Sequence, residues 1–523
     1  MPASRRPIAS VVTTAAGLPA VRAVAGDVAT SDLLTEGVDA LFVPVVPAAD
    51  DAEESDGVQP RAGATEAAVR YGIDLGDLAD RLRSDGSAGS AHTVQLPRGA
   101  GATALPWDGL PPRLVLVGVG SGTTRDLRRA GAAVARAAAG LGRVVTTVGS
   151  GDPDGARAFV EGYLLGAYRH PTAATGTPAP GPAAELWLLG DYPDLDAVRH
   201  LAAATWTARV LAVTPSSTKT PAWLADQAVA AARAAGLESE VLGPAELAAG
   251  GFGGIVAVGA GSANPPRLVI VRYVPDGGGQ GRHVVVAGKG ITYDTGGLAI
   301  KPRESMVAMK TDMTGAAVAL ATVLGAAALR VPHRVTALLP LAENAFGAAS
   351  YRPGDVVTMR GGTTVEVANP DAEGRMVLAD VLAYADAELE PDVVVDVATL
   401  TGAATLGLGQ QHGALFTPDD ELAAALVAAG DAAGERLWRM PLVEEYRRSL
   451  RSDVADVRHV AEPGTSAGAV TAALFLERFV GGRRWVHLDI AGPARAGKAA
   501  HEIPEGATGF GARALLRWLA DGL

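Results

Sequence analysis

The chain has 523 residues, 48% hydrophobic and 20% charged, with a formal net charge of -12. That balance disfavours a general binder of nucleic acid or anionic membrane, since both need a positive field. With no cysteine, disulfides, thiolate metal sites and a cysteine nucleophile are excluded. The apolar fraction is enough for large cores, and the length divides into two or three domains.

At the start, Arg5 and Arg6 precede a mildly apolar stretch broken by Thr13, Thr14, Gly17 and Pro19. This reads as a flexible tail of about 25 residues rather than an export signal. No uninterrupted apolar run of about 18 residues demands a membrane span. Strands are expected at 38–46 and 114–118, with helices at 127–141 and 156–168. Residues 170–184, with Pro171, Pro178, Pro180 and Pro182, have linker chemistry. A helix over 194–211 follows and links the halves. This divides the chain into a smaller amino-terminal α/β domain, 1–190, and a larger domain, 191–523. In the second part, strands are expected at 267–273, 283–287, 335–340, 364–369, 392–398 and 485–490. The clearest helices there are 305–329 and 375–387. Apolar runs alternating with Ala-rich helices make the chain α/β throughout.

Polar residues of one type gather just beyond these strand ends, where open α/β sheets place ligands. After 283–287 come Lys289, Asp294 and Lys301. The next helix carries Met309, Asp312 and Met313, then Gly315 and Ala316, where bulk would block approach. After Asn369 come Pro370, Asp371, Glu373 and Arg375. Alternation puts Asp371 and Glu373 on one side of an extended segment. Four carboxylates without a histidine suit hard or borderline divalent cations bound through oxygen. Converging on one pocket, they would repel one another unless cations neutralised them. Two metals are compatible with that number of ligands.

The segments 289–301, 309–316 and 369–375 resemble the metal and catalytic segments of the leucyl aminopeptidase family. Similarity continues through 259–267 (Gly-Ala-Gly-Ser-Ala-Asn-Pro-Pro-Arg), 351–354, 398–403 (Ala-Thr-Leu-Thr-Gly-Ala), 487–492 and 506–511. It covers the chain from about residue 205 onward and is loose over the first 190. The resemblance implies a catalytic domain with a central mixed β-sheet flanked by helices. It implies two divalent ions per subunit, Mn or Zn foremost with Mg or Co as alternatives. Lys289, Asp294, Asp312 and Glu373 would bind one, and Asp294, Asp371 and Glu373 the other. Lys289 can ligate only as a neutral amine, so its pKa must fall beside a dication. Lys301 would polarise the scissile carbonyl, and Arg375 would hold a carbonate or bicarbonate that accepts the proton of the attacking water. Met309, Thr401, Ala491 and Ala494 match positions lining the pocket for the first side chain, here small and apolar enough for leucine. The family further implies short peptides with a free amino terminus as substrates, a homohexamer and a cytoplasmic location. Pro370 departs from the threonine usual there, which removes a backbone donor and fixes φ.

Other motifs compete weakly. Gly464-Thr465-Ser466-Ala467-Gly468 has the letters of a serine nucleophile elbow, but the polar residues before it are no strand. Gly118-Val119-Gly120-Ser121-Gly122 lacks the third glycine of a dinucleotide loop and reads as a strand-to-helix turn. Some family members also act as DNA-binding accessory proteins. That role is the alternative function, and the acidic balance argues against it.

Overall fold

Short runs of valine, leucine and alanine, too brief for helices and closed by glycine or proline, become strands buried on both faces. The computed structural model describes residues 10–35, 37–48, 58–97, 104–171, 180–278 and 281–523. They gather into two units. One is Thr14–Ala203 with Lys498–Glu505. The other is Ala204–Gly497 and Gly506–Leu523 with the described residues of Met1–Thr13. The division falls inside the helix Asp196–Val213.

The amino-terminal unit is built on a seven-stranded sheet. Its spatial order is Ala20–Val24, Glu185–Leu189, Arg143–Thr146, Val38–Pro47, Arg113–Gly118 and Ala91–Gln95, with Val58–Pro60 beside Val38–Pro47. Pairing is parallel except at Ala91–Gln95 and Val58–Pro60. Ala20–Val24 lies within the stretch expected to be a flexible tail, yet it pairs in register with Glu185–Leu189. Two interrupting threonines and a proline hid a five-residue strand. Of the expected linker, 172–179 lies outside the described residues. The helices Thr124–Ala137 and Pro153–Gly166 cross where a Cβ on Gly131 would fall 2.0 Å from Phe159 O and one on Gly162 1.8 Å from Arg128 O. Only glycine allows that approach.

The larger unit has a nine-stranded mixed sheet. In spatial order it runs Leu437–Arg439, Gly413–Phe416, Arg484–Asp489, Val393–Ala398, His283–Gly288, Arg334–Asn344, Arg267–Tyr273 and Glu238–Leu242, with Gly290–Asp294 beside Arg334–Asn344. The four central strands are mutually parallel, and their neighbours on both sides run antiparallel. His283–Gly288 and Val393–Ala398 are buried at every residue. The carboxyl ends of these strands deliver the polar segments 289–301, 344–351, 399–401 and 489–491 to one edge of the sheet.

The helix expected over 305–329 is broken. A short helix Arg303–Met306 and a 3-10 turn Met309–Thr311 precede the helix Thr314–Leu329. The break occurs because Asp312 and Thr314 spend their side chains on partners other than the helix. Thr399 Oγ1 donates to Asp312 Oδ1 at 2.8 Å, and Thr314 Oγ1 donates to Thr311 O at 2.5 Å. The run 303–329 has the length and hydropathy of a membrane span, but it is mostly buried within the unit, as core helices are. The helix Thr314–Leu329 enters against the sheet through Gly315, where a Cβ would meet Val397 O at 2.1 Å and Lys289 N at 2.7 Å.

Candidate metal centre

Three segments carry the four acidic residues to the sheet edge. Asp294 ends the strand Gly290–Asp294. It is 2% exposed and accepts from Gly296 N at 2.9 Å and Asn344 Nδ2 at 2.8 Å. Asp312 closes the turn Met309–Thr311. Glu373 is the first residue of the helix Glu373–Tyr384, where a carboxylate suits the positive end of the helix dipole. Asp371 sits in a turn, not in the extended segment expected, because Asn369 draws the chain round: its Oδ1 accepts from Asp371 N at 3.0 Å and its carbonyl from Ala372 N at 2.9 Å. Even so, carboxylate oxygens of Asp294, Asp371 and Glu373 lie within 4.8 Å of one another.

Two ammonium groups stand between these acids. Lys289 Nζ is 2.9 Å from Asp312 Oδ2 and 2.8 Å from Glu373 Oε1, and it donates to Asp312 Oδ1 and Thr399 O at 2.9 and 3.0 Å. Lys301 Nζ is 2.9 Å from Asp294 Oδ2 and 2.5 Å from Asp371 Oδ1. Asp312 Oδ2, Glu373 Oε1 and Asp371 Oδ1 are nevertheless buried without a hydrogen bond of good geometry. Each of these oxygens faces an ammonium group alone, which leaves lone pairs that a divalent cation could take. Aspartate and glutamate oxygens with one amine form a donor set that divalent Mn, Zn, Mg or Co accepts, so the residues fit the metal.

The electrostatics agree. Burial, and then the charge of Glu373, lift Asp294 above the usual carboxylate range. Burial likewise lifts Asp312 and Asp371 against the lysines beside them. Burial pulls Lys289 down, but Asp312, Glu373 and Asp294 outweigh it and leave its pKa raised. Lys301 is raised in the same way by Asp294 and Asp371. The fall expected for Lys289 requires a dication at the same oxygens. A Cβ on Gly374 would fall 2.4 Å from Lys289 Cε, so glycine there gives the lysine its room.

Arg375 lies one turn into the helix, buried. One guanidinium nitrogen donates to His459 O at 2.7 Å, while Nε has no partner. Burial brings its pKa down to about 10. Burial, aided by the Arg375 charge, takes His459 down to about 4, so this ring is neutral at pH 7. It fixes the acidic loop, with Nε2 3.0 Å from Asn369 O. Pro370 leaves the loop anchored: its carbonyl accepts from Asn344 Nδ2 at 3.0 Å and Tyr351 OH at 2.8 Å.

Of the four residues expected around a side-chain pocket, Thr401 caps the helix Gly402–Leu408, and its hydroxyl donates to Asp489 Oδ2 at 2.6 Å. Asp489 Oδ1 accepts from Ala491 N at 3.1 Å, which ties the two loops together. Met309 is half-buried at the head of the turn that Thr399 links to the 399–401 loop. Ala494 is fully buried, its carbonyl taken by Thr508 N. Asn344, Thr399 and Asp489 escaped the sequence reading. A polar residue at the end of an apolar strand run was the available signal for Asn344 and Asp489. No strand leads directly into Gly464–Gly468, and Ser466 is exposed, so no nucleophile elbow forms there. Gly118–Gly122 is the turn between Arg113–Gly118 and the helix Thr124–Ala137.

Comparison with known proteins agrees with this geometry. Residues 206–516 match the catalytic domain of the cytosol aminopeptidase family, and residues 45–173 match its N-terminal domain. A probable cytosol aminopeptidase of Roseiflexus castenholzii is 43% identical over 85% of this chain and 93% of its own length. One from Chlorobaculum tepidum is 40% identical over 77% and 85%. Among solved structures, the bottromycin maturation enzyme BotP in complex with Mn matches with a TM-score of 0.78 and 36% identity, over 92% of this chain and 99% of that one. A tomato leucine aminopeptidase variant matches with a TM-score of 0.83 and 29% identity, over 96% and 97%. The chain belongs to the cytosol aminopeptidase family and is a metal-dependent aminopeptidase.

Proposed function

We propose that this aminopeptidase removes a leucine-like first residue from short peptides, using two divalent ions per subunit. The observation that carries the reading is the meeting of Asp294, Asp371 and Glu373 carboxylate oxygens within 4.8 Å, in a largely buried site where like charges crowd one another. Lys289, Asp294, Asp312 and Glu373 would hold one ion, and Asp294, Asp371 and Glu373 the other. Ions held there supply Lewis acidity, an activated water and a clamp on the substrate's free amine. Lys301 keeps its charge and is aimed at the carbonyl oxygen as it becomes an oxyanion. Arg375, whose Nε lacks an acceptor, is the side chain to hold a carbonate or bicarbonate ion as proton acceptor.

Met309, Thr401, Ala491 and Ala494 form the pocket for the first side chain, within a catalytic domain spanning 191–523. The homohexamer is carried by the family resemblance alone. A cytoplasmic location accords with the absence of cysteine. The test is metal analysis with an aminoacyl-amide panel. Two ions bound at full activity, with leucine amide preferred over charged amides, is the expected result. Full turnover with one ion, or none, refutes the two-ion site.

A further inference from the structure

Lys219 lies outside every motif that marks the active site, yet it is buried at 0% exposure, and among the described residues its ammonium meets carbonyl oxygens and a thioether rather than a carboxylate. Its Nζ donates to Leu211 O and Ala212 O at 2.9 Å and to Lys310 O at 2.6 Å, and lies 3.2 Å from Met313 Sδ. Leu211 and Ala212 belong to the last turn of the helix Asp196–Val213, the negative end of its dipole. Lys310 and Met313 flank Asp312. Ser216, three residues before Lys219, donates to Thr292 O at 2.8 Å, behind the strand that ends at Asp294.

We infer that Lys219 is a built-in cation: its ammonium fills a cage of three carbonyl oxygens and a thioether, and so positions the turn bearing Asp312. A helix cap alone would need only Leu211 and Ala212. The contacts with Lys310 and Met313 are what join the cap to the metal-bearing turn. Burial, and then the nearby Lys310 charge, push the pKa of Lys219 well down. The cage opposes them, because a neutral amine has two protons for four acceptors and would aim its lone pair at one of them. Three carbonyl oxygens at such distances form the kind of shell that also replaces water around an alkali or ammonium ion. The lysine tether supplies the charge without a free ion.

The positioning role rests on Asp312 being a metal ligand; occupancy of the cage does not. Lys219→Ala leaves room for a small cation, and Lys219→Met fills that room with an apolar chain. Both variants, manganese-loaded, are purified in potassium chloride and moved into choline chloride, then titrated with ammonium or potassium chloride. Tm and turnover on leucine amide are read at each step. In choline, Lys219→Ala should lose on the order of 10-fold in turnover, as expected for a ligand misplaced by a fraction of an ångström. Ammonium or potassium should raise its Tm saturably and restore turnover in parallel. Wild type and Lys219→Met should be flat across the series. A Lys219→Ala protein whose Tm ignores the cation overturns the cage. A cation-dependent Tm with turnover unchanged throughout overturns the positioning role. Failure of the aminopeptidase reading shows separately, as wild-type protein without turnover.

Discussion

Replacing Lys301 with alanine separates two lysines that composition treats alike. Lys301 reaches Asp294 Oδ2 and Asp371 Oδ1 from a loop, and its side chain is 16% exposed; Lys289 is 4% exposed between Asp312 and Glu373. In the proposed mechanism Lys289 ligates and Lys301 stays a cation. Lys301→Ala should therefore keep both ions, while losing one charge-bearing donor to the oxyanion in a site too enclosed for water to replace it fully. Loss of one such donor costs about 3 kcal/mol, or on the order of 100-fold or more in turnover. Lys289→Ala should lose metal instead, so excess manganese should restore part of its activity and none of the loss at Lys301. Bound metal by elemental analysis and kcat for both variants decide the matter. Equal metal loss in the two proteins, or near-normal turnover in Lys301→Ala, would refute the assignment.

Dialysis against a chelator should abolish activity and lower Tm, because ions that bind only the folded state stabilise it by mass action; an unchanged Tm with metal removed would contradict a site built on buried carboxylates. Acetylation of the substrate amine should block cleavage, which comparison of leucine amide with acetyl-leucine amide measures directly. Gly315→Ala should destabilise the protein by about 2 kcal/mol or more, since its Cβ would strike Val397 O and Lys289 N, neither of which can swing aside; chemical denaturation gives the value.

The parallel strands were legible because they are buried on both faces: His283–Gly288 and Val393–Ala398 are nearly continuous apolar runs, and a polar segment must begin where each ends. Lys289 and Asp294, two of the proposed ligands, stood out for the same reason, as charge at the end of a buried strand. What periodicity could not show was how the chain turns there. Asp312 lies in a break of an apolar helix, because one hydroxyl from Thr399, 87 positions away, competes for its carboxylate. Asp371 and Glu373 come together through a turn made by Asn369 rather than by strand alternation. Short or half-exposed strands such as Ala20–Val24 and Glu238–Leu242 carry little pattern of their own and are strands because a neighbour supplies the register.

Lys289, Lys301 and Lys219 lie in the larger unit, and what their ammonium groups face separates their roles. Lys289 and Lys301 face carboxylates, for which a divalent ion is the stronger partner, so in the proposed site the two ammonium groups serve as counter-ions to the four acids when no metal is bound. In that reading a bound metal would turn Lys289 into a neutral ligand and would release Lys301 from its carboxylates to act on the substrate. Lys219 faces neutral carbonyls and a thioether, which bind a dissolved cation weakly. There the tether decides, since a covalently held ammonium is present at a local concentration no dissolved ion reaches. The same functional group therefore meets charged partners at Lys289 and neutral ones at Lys219, and both kinds of contact converge on the turn that carries Asp312.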